Sequence, residues 1–193
     1  LSGTASGNYT LTQPTGLSAN ITPATLTVSG TGVANKVYDG GTTAALSGGT
    51  LQGLVSADSG AVSLVQVGSF ASKNVGSAIG VTVNDSLSGT ASGNYTLTQP
   101  TGLSANITPA TLIVSGTTAA GKSYDGTTAA TITGGTLSGF VGSESFTLTQ
   151  AGSFSSAHVN LVSASPAAVS VTINDSITPA TGTLSSNYTL TQP

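Results

Sequence analysis

Along much of the chain, apolar and polar residues alternate one for one. Tyr9, Leu11 and Gln13 alternate with Thr10, Thr12 and Pro14, and Leu26-Thr27-Val28-Ser29, Val62-Ser63-Leu64 and Val81-Thr82-Val83 do the same. A period of two rich in Val, Ile, Thr and Tyr marks β-strands with one buried face. Gly, Asn, Asp and Ser clusters break these runs about every 8–12 residues, the rhythm of a sandwich or barrel. No window has helical spacing with caps, so an all-β fold with almost no helix is predicted.

The pattern repeats. Residues 1–26 and 87–112 share the same 26 letters at an offset of 86. Beyond them the copies diverge but stay alignable. Lys36-Val37-Tyr38-Asp39-Gly40 faces Lys122-Ser123-Tyr124-Asp125-Gly126, and Gly68-Ser69-Phe70 faces Gly152-Ser153-Phe154. Val81 to Ser86 faces Val171 to Ser176, and Asn94 to Pro100 recurs at Asn187 to Pro193. A period this long exceeds a solenoid coil or propeller blade and suits a whole small domain. The chain divides into the tail of one unit (1–22), a full unit (23–108) and a second unit (109–193) lacking its last strand. It is expected to be a window from a longer polypeptide.

Comparing copies assigns faces. Val62 and Leu64 correspond to Phe146 and Leu148 and point inward; Val65 and Val67 correspond to Thr149 and Ala151 and point outward. Tyr95, Leu97, Phe70, Val81, Val83, Leu112 and Val114 are predicted core, with Tyr188, Leu190, Phe154, Val171 and Ile173 as second-unit equivalents. Pro109 fixes its own φ and holds Thr108 extended, so the units are expected to join stiffly, almost strand into strand.

KVYDGGTTAALSGGTLQGLV, GSFASKNVG and GNYTLTQPTGLSANITPATLTVSGT together resemble the YDG-type repeats of filamentous-haemagglutinin-like bacterial surface adhesins. The resemblance covers essentially the whole chain. It implies tandem immunoglobulin-like β-sandwich repeats arranged end to end, on a bacterial cell surface or in a secreted fibre, without a catalytic site. Two departures read as loop variation: Tyr-Asp-Gly-Gly-Thr-Thr in the first copy against Tyr-Asp-Gly-Thr-Thr in the second, and a longer stretch from Ala157 to Ala168.

Composition narrows the function. Thr, Ser and Gly number 33, 29 and 26 of 193 residues, while charged residues are only 5%. Three lysines (Lys36, Lys73, Lys122) and no arginine cannot form a basic face for nucleic acid. Cysteine is absent, which excludes disulfides and thiolate sites. No run of 18 apolar residues exists to span a membrane as a helix.

The remaining chemistry is sparse. Tyr38-Asp39-Gly40 and Tyr124-Asp125-Gly126 could bind a ligand, but they read better as turns, with Asp bonding its own backbone, Gly at positive φ and Tyr packing its ring. Asp39, Asp58, Asp85, Asp125, Glu144 and Asp175 come singly, without the clustered spacing calcium needs. Lys36 with Asn84 or Asp85, and Lys122 with Asn174 or Asp175, could form isopeptide staples with Asp58 or Glu144 as proton shuttle; solvated lysines are the simpler reading. His158 is a lone loop histidine, and no Gly-x-Ser-x-Gly elbow accompanies the many serines. Sequons at Asn8, Asn20, Asn84, Asn94, Asn106, Asn174 and Asn187 arise readily in a Thr-rich chain. Thr-x-Thr pairs such as Thr10 with Thr12 and Thr25 with Thr27 lie too far apart for an ice-binding array. No catalytic, cofactor-binding or metal-binding residue is nominated.

The leading expectation is a structural stalk or filament segment. Its partners would be neighbouring repeats in the same chain and other copies head to tail. The alternative is a glycan- or cell-surface-binding adhesion module, disfavoured because Trp is absent and aromatics are 5%. Residues 101–108 should form a closing strand that the second unit lacks, while the same eight letters stand unpartnered at residues 15–22. Those residues could complete the second unit of another copy; alternatively, both ends are cut points in a longer array.

Overall fold

The computed structural model describes residues 1–163 and 165–193. The described residues form β-strands and four short 3-10 turns, with no α-helix. In the first copy the strands are β1 (Ala24–Val33), β2 (Lys36–Val37), β3 (Thr43–Ala44), β4 (Leu46–Gln52), β5 (Ser63–Val65), β6 (Gly68–Phe70), β7 (Gly76–Val83), β8 (Ser86–Ser88), β9 (Tyr95–Thr98) and β10 (Ser104–Thr108). In the second they are β11 (Ala110–Ser115), β12 (Thr118–Ala119), β13 (Ala129–Ala130), β14 (Ile132–Thr133), β15 (Thr136–Ser138), β16 (Phe146–Thr149), β17 (Gly152–Phe154), β18 (Asn160–Val162), β19 (Ser165–Ala167), β20 (Val171–Ile173), β21 (Ser176–Pro179) and β22 (Tyr188–Thr191).

The first copy builds a three-stranded sheet, β4-β1-β9, and a five-stranded sheet, β2-β10-β7-β6-β3. The second copy repeats the former as β15-β11-β22, with the same parallel register: Ala110 opposite Tyr188, as Ala24 is opposite Tyr95. Its other large sheet is only β13-β17-β20. Among the described residues β20 pairs with β17 alone, where β7 is paired on both sides.

Alternation decides which side chains enter the core. β11 alternates buried and exposed along its whole length, with Ala110, Leu112 and Val114 inside. The outward Ser and Thr pair across strands instead, as Ser29 with Thr50 at 3.0 Å and Thr118 with Thr133 at 3.1 Å. Such hydroxyl ladders support a sheet surface almost without charge. The Gly-Gly pair of β4 has a steric cause. Gly48 has φ +71, and a Cβ there would lie 2.3 Å from the Gly30 carbonyl oxygen. Its counterpart Gly134 meets Gly116 in the same way.

The copies share one core. Tyr38, Phe70, Val81, Ala105 and Ile107 of the first copy pack in one buried cluster with Ala110, Leu112 and Tyr188 of the second. A smaller cluster, Leu26, Val62 and Tyr95, closes the far end of the first copy. Only Pro109 separates β10 from β11, so the chain passes strand to strand across the junction.

The structure also refines the two loop departures. Gly41 is no insertion: Phe70 N donates to the Thr42 carbonyl as Phe154 N donates to the Thr128 carbonyl, which makes Thr128 the counterpart of Thr42 and Thr127 that of Gly41. The longer stretch after Ala157 contains a β-hairpin, β18 paired antiparallel with β19.

Candidate functional site at the repeat junction

The Tyr-Asp-Gly turn shares three bonds between the copies, and the second adds the Thr127 hydroxyl, which accepts from Lys122 at 2.9 Å and donates to Asp125 at 3.0 Å. Lys36 Nζ donates to Asp39 Oδ1 and to the Gly41 carbonyl, each at 2.7 Å, while Gly41 N donates to the same Asp39 oxygen at 2.9 Å. Lys122, Asp125 and Thr127 repeat every one of these bonds. Each lysine also sits 5.6 Å over a phenylalanine ring, Phe70 or Phe154. The lysine beside Asp39 and the backbone N–H of Gly41 hold its carboxyl below the ordinary carboxylate range. The same arrangement takes Asp125 down to about 2. Both lysines are thus held by the turn.

The turn aims the tyrosine. In the first copy Tyr38 N donates to the Thr108 carbonyl at 2.8 Å, anchoring the turn to the closing strand. Its ring then enters the second copy, where only 3% of its surface stays exposed. It meets Tyr188 edge to face, centroids 5.5 Å apart, and Phe146 meets the same ring at 5.0 Å. Glu144 sits between the phenols. Tyr38 donates to Oε1 and Tyr188 to Oε2, each at 2.5 Å. Hydrogen bonds to an ionised acceptor are the strong kind. The second lone pair of Tyr188 receives Val141 N at 3.0 Å. Burial, then the hydrogen bond to Glu144, raises the Tyr38 phenol from 10.0 and pushes Tyr188 up to about 12.

Asn187 completes the junction. It is 1% exposed, accepts from Val75 N at 2.9 Å and donates to Asn74 Oδ1 at 3.1 Å. Gly40 (φ +77) passes close to Val141, whose Cγ1 would be 3.1 Å from a Cβ placed there.

The same parts without a neighbour mark the two ends. At the far end of the first copy, Tyr95 donates to Asp58 Oδ2 at 2.6 Å and accepts from Val55 N at 3.3 Å, as Tyr188 does with Glu144 and Val141. Asn94, the counterpart of Asn187, is exposed there. At the opposite end Tyr124 is 63% exposed and stacks on His158 with centroids 6.4 Å apart. The expectation that both YDG tyrosines pack their rings therefore holds for Tyr38 alone.

The other carboxylates are separate. Asp85 and Asp175 are buried, and each receives one backbone N–H, from Val67 and Ala151. Gln99 clamps the Asp85 backbone with two bonds, and Gln192 does the same at Asp175. Reading the sequence alone missed Glu144 and Asn187 as junction residues. The available signals were an acid retained at Asp58 and Glu144, and the Asn before each Tyr-Thr-Leu.

These observations define a tandem of all-β repeats joined through a tyrosine of one and an acid–tyrosine pair of the next. The chain belongs to the YDG domain family, whose model matches residues 22–102 and again 108–193. No curated protein and no solved structure matches it.

Proposed function

We propose that the chain is a length of structural stalk in a large secreted bacterial surface adhesin or extracellular fibre. Its repeats would be immunoglobulin-like sandwiches set end to end. The observation that supports this most is the junction: a shared core with Glu144 held by two phenols and Asn187 spanning the copies. Such a joint resists bending, because tilting one repeat strips buried polar groups of their partners. Small-angle scattering of the chain tests it. A single elongated particle with a narrow distance distribution is expected, and the Tyr38→Ala variant should broaden that distribution. Two independently tumbling repeats in the unaltered chain would overturn the reading.

A further inference from the structure

Each repeat buries the same three polar atoms without a hydrogen-bond partner. They are Thr31 Oγ1, Gln66 Nε2 and Asp85 Oδ2 in the first copy, and Thr117 Oγ1, Gln150 Nε2 and Asp175 Oδ2 in the second. A buried polar group left unpaired costs free energy, so a matched set in both copies needs a cause. We propose that each repeat closes an internal ester bond, Thr31 to Gln66 and Thr117 to Gln150, with Asp85 and Asp175 carrying the proton. The proposal goes beyond the stalk reading and does not depend on it.

One ladder register sets the amide against the acid. Val65 is opposite Ser86 in β5 and β8, and Gly68 is opposite Val83 in β6 and β7. The numbering runs in step across the gap, so Gln66 stands opposite Asp85. In the second copy Thr149 opposite Ser176 and Gly152 opposite Ile173 place Gln150 opposite Asp175 in the same way. Each acid is already fixed through its other oxygen. Asp85 Oδ1 accepts from Val67 N at 3.0 Å, and Asp175 Oδ1 from Ala151 N at 3.1 Å.

The hydroxyl comes from the facing sheet. Gly49 of β4 packs on Leu64 and on the Gln66 amide, and Gly68 packs on Leu46. On β1, Ser29 is opposite Thr50, Thr31 opposite Gly48 and Val33 opposite Leu46. Gln66, between Leu64 and Gly68, is therefore level with Thr31. In the second copy Gln150 packs at Gly135 and Gly152 at Ile132, while Thr117 lies between Gly116, which meets Gly134, and Thr118, which is opposite Thr133. Glycine keeps the slot open for the amide. A Cβ at Gly49 would lie 2.5 Å from Gln66 Nε2, and one at Gly135 would lie 2.3 Å from Gln150 Nε2. Gly135 N also donates to Gln150 Oε1 at 3.3 Å, which suits a carbonyl oxygen that gains negative charge under attack.

The step balances without a co-reactant. The threonine Oγ attacks Cδ of the glutamine, the Oγ–Cδ bond forms and the Cδ–Nε2 bond breaks. The Oγ proton passes through the aspartate Oδ2 to Nε2, which leaves as ammonia. Burial excludes the water that would hydrolyse the product. The bond removes two of the three unpaired atoms in each repeat, because the amide nitrogen departs and an ester oxygen needs no donor. It also ties β1 covalently to the ladder on the other side of the core.

Intact-mass spectrometry of the full chain tests this, with peptic fragments sequenced to locate the link. The chain should be lighter than its sequence by two ammonia masses. Fragments holding Thr31 and Gln66, and Thr117 and Gln150, should be joined and should part in hydroxylamine. Thr117→Val should restore one ammonia mass, and Thr31→Val together with Thr117→Val should restore both. Thr117→Ser retains a hydroxyl and should keep the bond. Asp175→Asn should slow closure in the second repeat about a hundredfold, the usual range for losing a positioned proton carrier, while the first repeat closes normally. A folded wild-type chain of full sequence mass, a loss that survives both valines, or an Asp175→Asn chain that closes as fast as wild type would overturn the proposal. None of these outcomes bears on rod-like scattering, so the stalk reading stands or falls separately.

Discussion

Tyr38 and Tyr124 occupy the same place in the same turn, with matching lysine, aspartate and backbone bonds. One is 3% exposed and the other 63%. What lies beyond them differs. Tyr38 has the base of another repeat; Tyr124 has solvent and His158. Asn187 against Asn94 and Ile107 against Ile21 tell the same story. In this chain the tyrosine, the asparagine and the isoleucine are buried where another repeat or strand stands against them. In the second copy Phe154, Val171 and Ile173 are half-buried where Phe70, Val81 and Val83 are buried.

The sharpest way to break this comparison is to truncate both tyrosines. Tyr38→Ala should destabilise the chain by about 3–5 kcal/mol, the usual range for a large buried aromatic. Tyr124→Ala should stay within about 0.5 kcal/mol, as exposed positions do. Equal midpoint shifts in urea denaturation would show that the junction adds nothing to Tyr38.

Isoleucine gives the next contrast. Ile107→Ala should cost about 2–5 kcal/mol, whereas Ile21→Ala should leave the monomer's thermal midpoint unmoved. A matching fall at Ile21 would mean that the tail is packed in solution.

The junction should also loosen in alkali. Tyr188 is pushed up to about 12 and Tyr38 is raised from 10.0, while in the unfolded chain both titrate near 10. The folded state holds these protons longer, so their contribution is complete below pH ~10 and falls as pH climbs toward ~12. Glu144→Gln keeps one acceptor oxygen, replaces the other with an amide donor and removes the charge, and hydrogen bonds to charged groups contribute about 1.5–3 kcal/mol. The variant should lose stability at neutral pH and show an earlier phenolate transition by ultraviolet titration. An unchanged transition would separate the glutamate from the phenols.

The smallest effect lies at the turns. Asp125 titrates at about 2 in the folded chain, so its contribution is present above its ordinary value and fades as pH drops toward 2. The group is exposed and screened, so the change should be slight. Asp39→Ala and Asp125→Ala should both cost little, with Asp125 losing one bond more, from the Thr127 hydroxyl. A much larger loss at Asp39, read from acid unfolding curves, would show that its turn and the junction are coupled.

The sequence by itself determined the repeat, most strands of the two larger copies and their faces, the turn after each lysine, and the closing strand, which runs over Ser104–Thr108 and not all of 101–108, while the alternating Tyr9–Pro14 forms no strand. All depend on neighbours in the chain or on period-two alternation, which a single copy displays. Comparing copies could not tell Tyr38 from Tyr124, because the letters around them are nearly the same. Only the tertiary structure placed Glu144 between phenols 106 and 44 residues away. It alone buried Asn187, whose Asn-Tyr-Thr triplet looked like a product of composition. It also turned an apparent extra glycine into a substitution. Burial at a junction depends on which repeat stands next to which, and local pattern carries no record of that.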